Sequence, residues 1–180
     1  MKIVDRIIQR AQRTPYFHLP GYMNRWWLVP YIGAGSKTDI GCGSVSWRRP
    51  IAKVLQFFGI AVRVHEILRI GPERHPHDHP WWFITVILRG AYIETVYNEQ
   101  GKLVDVNYWG PGSILFRRAT SWHRLTLPER GSTWTLFITG PKSQGWGFNV
   151  NGKKVPHREY RLWLTPSLSA TGAGRTARRC

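Results

Sequence analysis

His75-Pro-His-Asp-His-Pro-Trp-Trp-Phe-Ile-Thr-Val-Ile-Leu-Arg-Gly90 sets three histidines two residues apart, immediately before a run of strand-forming residues. In an extended chain, side chains at i and i+2 project to one face. His77 and His79 then present their imidazoles to one side, roughly 6–7 Å apart along the backbone, with Asp78 turned the other way. Neutral imidazole suits Zn, Fe, Ni or Cu, so this pair is a candidate for transition-metal binding. A solvated His-rich turn would have the same spacing, and the three histidines alone do not choose between the two.

Around this stretch the hydrophobic period is two. Residues 60–70 set Val62, Val64, Glu66 and Leu68 on one face and Arg63, His65, Ile67 and Arg69 on the other. Gly71-Pro72 turns that strand towards the histidines. Residues 82–88 are apolar on both faces, which suits a strand covered on both sides. Strands are expected at 91–97, 103–109, 113–117, 123–127 and 133–139, separated by turns at 98–102, 110–112 and 128–132. Residues 146–150 and 153–160 flank Asn151-Gly152, a two-residue hairpin turn. Short strands punctuated by Gly and Pro indicate an all-β sandwich or barrel.

The N-terminal third has a different pattern. Ile3, Val4, Ile7, Ile8 and Ala11 form a helical stripe, Lys2, Arg6, Arg10 and Arg13 occupy the rest of the surface, and Thr14-Pro15 ends the helix. Such a basic helix could lie on a membrane surface, but docking on the barrel or on a second subunit is the favoured expectation. Tyr16, Phe17, Tyr22, Trp26, Trp27 and Tyr31 follow, interrupted by Pro20-Gly21 and Pro30, as an irregular aromatic arm over apolar barrel surface. Residues 33–43 are a small-residue loop, and 50–58 fit either a helical turn or a strand. The chain thus divides into an amphipathic helix at 1–14, the arm and irregular segment at 15–59, a barrel at 60–165 and a basic tail at 166–180. The tail has nothing to bury and is expected to be disordered.

A chain of 180 residues supports one domain with a substantial core, and ten tryptophans exclude a disordered chain. Two cysteines, Cys42 and Cys180, offer neither a disulfide framework nor a zinc quartet. There is no signal-peptide apolar core and no membrane-length apolar run, so a soluble, cytoplasmic protein without a membrane span is expected. The formal charge of +16 favours polyanionic partners, including nonspecific nucleic acid. The basic residues nevertheless lie in short runs (Arg48-Arg49, Arg117-Arg118, Lys153-Lys154, Arg178-Arg179), which also fits an ordinary solvated basic surface.

The histidine stretch resembles the first motif of the cupin superfamily, His-x-His followed by a Glu and then a Gly. With the pair at His77 and His79, Phe83 takes the Glu position and Gly90 the Gly position. The second motif, running from Gly through Pro-x-Gly to His, resembles Gly112-Ser-Ile-Leu-Phe-Arg-Arg-Ala-Thr-Ser-Trp-His123. There Arg118 replaces the Pro, Thr120 the second Gly, and Leu127 a later Asn. The chain also resembles small cupin-like proteins of tailed phages and bacteria, some described as similar to cysteine dioxygenase. That likeness rests on residues 14–25, on His77-Asp-His-Pro-Trp81, on 116–123 and on 133–142. It implies a cupin-type double-stranded β-helix, a jelly-roll barrel, and the host cytoplasm as the location if the chain is phage-encoded.

The resemblance implies a metal held by His77, His79 and His123, without a carboxylate because Phe83 fills the Glu place. Three neutral ligands leave a divalent ion its full charge, as in the three-histidine iron centre of thiol dioxygenases, and favour a small anionic substrate. Fe(II) is the favoured metal, and zinc with bound water fits the same ligands. Glu66 or Glu94 could instead complete a carboxylate-containing site. A nearby arginine, Arg63, Arg69, Arg89, Arg117 or Arg118, could clamp a carboxylate or phosphate. His75 is expected as a neighbour of the ligands or at the surface, and His65 as a core histidine or a fourth ligand. Trp82 is expected to pack the barrel or to line the pocket mouth. The functions implied are a metal-dependent oxygenase, an isomerase or hydrolase on a sugar or nucleotide, a non-catalytic ligand-binding or structural cupin, and a basic nucleic-acid-associated protein, with a homodimer as the candidate assembly.

Overall fold

The alternating segments pair into antiparallel sheets, because each buries one set of side chains between two layers and hydrogen-bonds its edges to neighbours. The computed structural model describes residues 3–15, 18–29, 48–68, 75–128 and 131–164. In chain order the elements are α1 (Ile3–Ala11), β1 (Met23–Val29), α2 (Arg48–Phe57), β2 (Ala61–Ile67), β3 (Phe83–Arg89), β4 (Tyr92–Tyr97), β5 (Leu103–Trp109), β6 (Ile114–Arg117), β7 (Trp122–Thr126), β8 (Thr133–Thr139), β9 (Gly147–Val150), β10 (Lys153–Pro156) and α3 (His157–Leu164). One sheet runs β1-β2-β8-β3-β6. The other layer holds β5-β4-β7 and the β9-β10 hairpin. Backbone bridges from His77 to His123 and to Phe148 stitch β7 to β9. From β3 onward the chain passes repeatedly between the layers, which is the route of a jelly roll.

Register decides which side chains meet inside. One row across the five-stranded sheet reads Trp27, Arg63, Phe137, Thr85 and Leu115, and the next reads Arg25, His65, Thr135 and Ile87. A third reads Ala61, Thr139, Phe83 and Arg117. Between the layers, Ile67, Phe83, Ile87, Tyr92 and Leu115 form a core with Trp81, Trp109, Leu125 and Phe137 around it. The outer face of β2 is covered too. Ile8 and Ala11 of α1 pack with Val64, Trp26 and Trp134, and the two indoles stack at 5.2 Å. Each such fully buried large side chain stabilises the fold by about 1.5–3 kcal/mol. The Thr14 hydroxyl donates to the Ala11 carbonyl at 3.0 Å and closes the helix.

The arm expected to be irregular contains β1, because Trp26 and Trp27 point to opposite covered faces of an added edge strand. Residues 48–57 resolve as helix, with Pro50 in the first turn, where an N–H is not needed. The strand expected at 153–160 stops at Pro156 and continues as α3, whose Tyr160 ring stacks on Phe148 at 3.9 Å. Asn151 and Gly152 take φ of 52° and 79°, as a two-residue hairpin turn requires. The expected loop at 33–43, the Gly71-Pro72 turn, Arg69 and the tail at 166–180 lie outside the described residues. Among the described residues no helix is long and apolar enough to cross a membrane.

Candidate metal centre

Three imidazoles from two remote segments meet between the layers. His77 and His79 come from the extended stretch before β3, and His123 from β7. Ring centroids are 5.1 Å apart for His77–His79, 4.8 Å for His77–His123 and 5.1 Å for His79–His123. One ligand nitrogen from each lies within 4.8 Å of the others, and the two Nε2 atoms of His79 and His123 are 2.9 Å apart. An ion bound at about 2.0–2.1 Å from each nitrogen needs such convergence, so these residues fit a transition metal.

The backbone fixes the trio. His77 N–H donates to the His123 carbonyl at 2.9 Å, and His123 N–H donates back at 3.0 Å. Asp78 is turned away from the rings, as the period of two requires, and is buried in a knot of its own. It accepts from Gly147 N–H at 2.8 Å and from Gln144 Nε2 at 2.9 Å, and it pairs with Lys154. Gln144 also donates to the carbonyls of His79 and Ala119, at 2.8 Å each.

Glu94, wholly buried on β4, sets the electrostatics. His123 Nδ1 lies 2.8 Å from Glu94 Oε1. An ionised carboxylate only accepts, so Nδ1 carries the proton of this hydrogen bond, and Nε2 is the nitrogen turned towards the other two rings. Arg117 pairs with the same carboxylate, and Trp109 Nε1 donates to it at 2.9 Å. Burial alone would raise the Glu94 pKa, but the hydrogen bonds from His123 and Arg117 and their charges outweigh it and bring it to about 2. Burial lowers His77 to about 3, with His123 adding to the effect and Glu94 opposing it. His79 is also lowered, by burial first and then by His123, His77 and His65. Both are therefore neutral near pH 7, as metal ligands must be.

Phe83, only 2% exposed, packs 4.6 Å from the His79 ring and 5.5 Å from His123, an apolar wall in place of a carboxylate. Glu94 does not complete a ligand set from the open side. It binds the far nitrogen of His123. Glu66 instead accepts from Asn24 at 3.0 Å. His75 is drawn to Tyr160, its Nδ1 2.9 Å from the hydroxyl, and stands apart from the three rings. His65 is buried on the inner face of β2, 4.7 Å from Phe137. Arg118 is exposed, and it is its neighbour Arg117 that reaches inward. Arg89 pairs with Asp5 at 2.6 Å on the surface. Trp82 alternates outward from Phe83 and packs on Phe116 at 6.1 Å. Gln144 and Lys154 were not apparent from sequence, since neither lies in a motif and both act through Asp78.

No family model and no curated protein matches the chain. Among solved structures it is similar to the polyketide cyclase RemF from Streptomyces resistomycificus, at 14% identity over 83% of this chain and 85% of that one, with a TM-score of 0.50. It is also similar to an oxalate decarboxylase variant from Bacillus subtilis, at 15% identity over 75% of this chain and 29% of that one, TM-score 0.48. An oxalate oxidase in complex with the substrate analogue glycolate matches at 15% identity over 50% of this chain and 46% of that one, TM-score 0.41. The chain spans less than half the length of these last two. At 14% identity the likeness to RemF is one of fold alone, in line with the jelly-roll route of the two layers.

Proposed function

We propose that His77, His79 and His123 hold one divalent transition metal, and that the chain is a metal-dependent enzyme acting on a small anionic substrate. Within that class, we favour a non-haem Fe(II) dioxygenase resembling cysteine dioxygenase. The observation that carries this reading is the convergence of three imidazoles with Phe83 beside them and the Glu94 carboxylate held behind His123. Three neutral ligands leave the ion's charge uncompensated, which favours an anionic group on the substrate. When bound, iron at such a site supplies dioxygen activation, whereas zinc would supply a polarised water. The chain's own residues do the rest. Glu94 holds the proton on His123 Nδ1, the Asp78 knot orients the His77–His79 segment, and Phe83 and Phe148 keep water from the ring edges.

Elemental analysis of protein purified without added metal tests this directly. Stoichiometric divalent metal is expected, and His77→Ala, His79→Ala and His123→Ala should each lose most of it while keeping a β-sheet circular dichroism spectrum. Fe(II)-loaded protein should consume dioxygen with a small thiol or carboxylate, and the three variants should not. Unchanged metal content in all three variants would remove the site. Full metal content without oxygen uptake across such a panel would favour zinc chemistry instead.

A further inference from the structure

The β5-β4-β7 sheet ends on β5, which among the described residues pairs with β4 and with no other strand. An edge strand presents a row of open N–H and C=O groups, and stable folds blunt it with Lys, Pro or a cover. The β5 sequence, Leu103-Val-Asp-Val-Asn-Tyr-Trp109, holds no Lys, Arg or Pro. Leu103, Val104, Val106 and Tyr108 are each more than half exposed. By register Val106 and Tyr108 stand beside Thr95 and Ile93 on the outer face, while Asp105 and Asn107 stand beside Val96 and Glu94 on the other. The outer face of an antiparallel sheet in water normally carries the polar set. Here it carries the apolar one, as a strand does when a further layer or strand covers it.

The strand is complementary to itself. Val106 is the midpoint of Leu103–Trp109, so two copies running antiparallel about Val106 overlap along the whole strand. Val106 of one copy then meets Val106 of the other, Val104 meets Tyr108, and Asp105 meets Asn107. Aromatic–β-branched pairs and polar pairs of this kind are favourable across strands, whereas like charges directly opposite are not. A one-residue slip would set outer-face residues against inner-face ones, and an axis at Asp105 would oppose two carboxylates. Asp105 Oδ1 accepts from the Val106 N–H at 2.9 Å, a local bond standing where a neighbouring strand's carbonyl would. Charge favours the same stretch. Each copy carries +16, so two copies repel least where cations are missing, as they are along β5.

We propose that β5 is a self-association edge, at which two copies of this chain pair antiparallel about Val106 and join three strands from each into one sheet. A contact confined to one strand is at the small end of interfaces, below about 1,200 Å² in total, so the dimer should be reversible, with micromolar affinity. Sedimentation velocity of the full chain over about 1–500 μM should show monomer passing to dimer. Val106→Lys opposes two cations at the axis and should weaken association about tenfold or more, with an unchanged circular dichroism spectrum. Phe57→Lys, at an exposed apolar position on α2, should leave association as it is. Register is read with cysteines in a Cys42→Ser, Cys180→Ser background. Val106→Cys should oxidise to a disulfide dimer, because facing residues of antiparallel strands lie about 4.5–5.5 Å apart at Cα, within disulfide reach. Tyr108→Cys, displaced from its own copy along the strand, should cross-link far more slowly. Should Val106→Lys fail to fold, the two cysteine variants decide. The proposal is overturned by a chain that stays monomeric throughout, by Val106→Lys dimerising as tightly as the wild type, or by equal cross-linking of the two cysteine variants. A dimer that Phe57→Lys breaks also overturns it, since the contact would then belong to α2.

Discussion

The Glu94 carboxylate accepts from His123, Arg117 and Trp109 at once, and so ties both sheets to the candidate metal centre. Glu94→Gln should lower metal affinity about 10–100-fold, because the group orienting the ligand changes. It should also cost about 3–5 kcal/mol of stability by leaving Arg117 without its buried counter-charge. Competition with a chromophoric chelator and urea unfolding measure the two effects. The same centre predicts a pH response of the metal-free protein. His77 titrates near 3 when folded and near 6.5 when unfolded, so between those values the unfolded chain binds a proton that the native state refuses. Stability should therefore fall as pH drops from 6.5 towards 3, and Glu94, lowered from 4.5 to about 2, adds a loss of the same sign at the acid end. Urea midpoints across this range should fall less steeply in His77→Gln. Sequence alone left Glu94 as a candidate ligand, because its partners lie 29 and 23 positions away on other strands.

At the scale of elements, turn chemistry is local and was legible. Gly90, the glycine of the first motif, has φ +73°, and a Cβ there would sit 2.6 Å from the Ser132 carbonyl oxygen. Gly90→Ala should thus destabilise the β3–β4 junction by about 1–3 kcal/mol through backbone strain, read as a lower urea midpoint with an unchanged slope. The Asn151-Gly152 hairpin was equally plain. The C-terminal half of 153–160 was not, since Lys153–Pro156 alternates like a strand and only the contact of Tyr160 with Phe148 and His75 makes a helix the better continuation. The arm misled for a related reason. Trp26 and Trp27 are both buried, one under α1 and one inside, so β1 shows no contrast between a wet and a dry face.

For the whole molecule, α1 closes the outside of the β1-β2-β8 region while the inside is shared between an apolar core and a polar centre. The charge of +16 is a property of this scale too. It should give nonspecific binding to duplex DNA whose affinity falls steeply with salt, the logarithmic slope approaching about −0.9 per phosphate neutralised. Fluorescence anisotropy at several salt concentrations checks this, and a flat response would leave the charge as a solvated surface. Such binding would not draw on the candidate metal centre, so His123→Ala should leave the salt dependence unchanged.

The positions of β2 to β9, the glycine turns and the spacing that pairs His77 with His79 and sets both against His123 follow from the sequence by itself, because periodicity and turn preference act between residues close along the chain. Which nitrogen of His123 faces the others, that Arg117 and not Arg118 turns inward, that His75 leaves for Tyr160, and that the Arg63 guanidinium lies over Trp27 and Trp81 were decided only by tertiary structure. Register and sheet-on-sheet packing choose those partners across long sequence separations, where a one-residue shift would move every side chain to the opposite face.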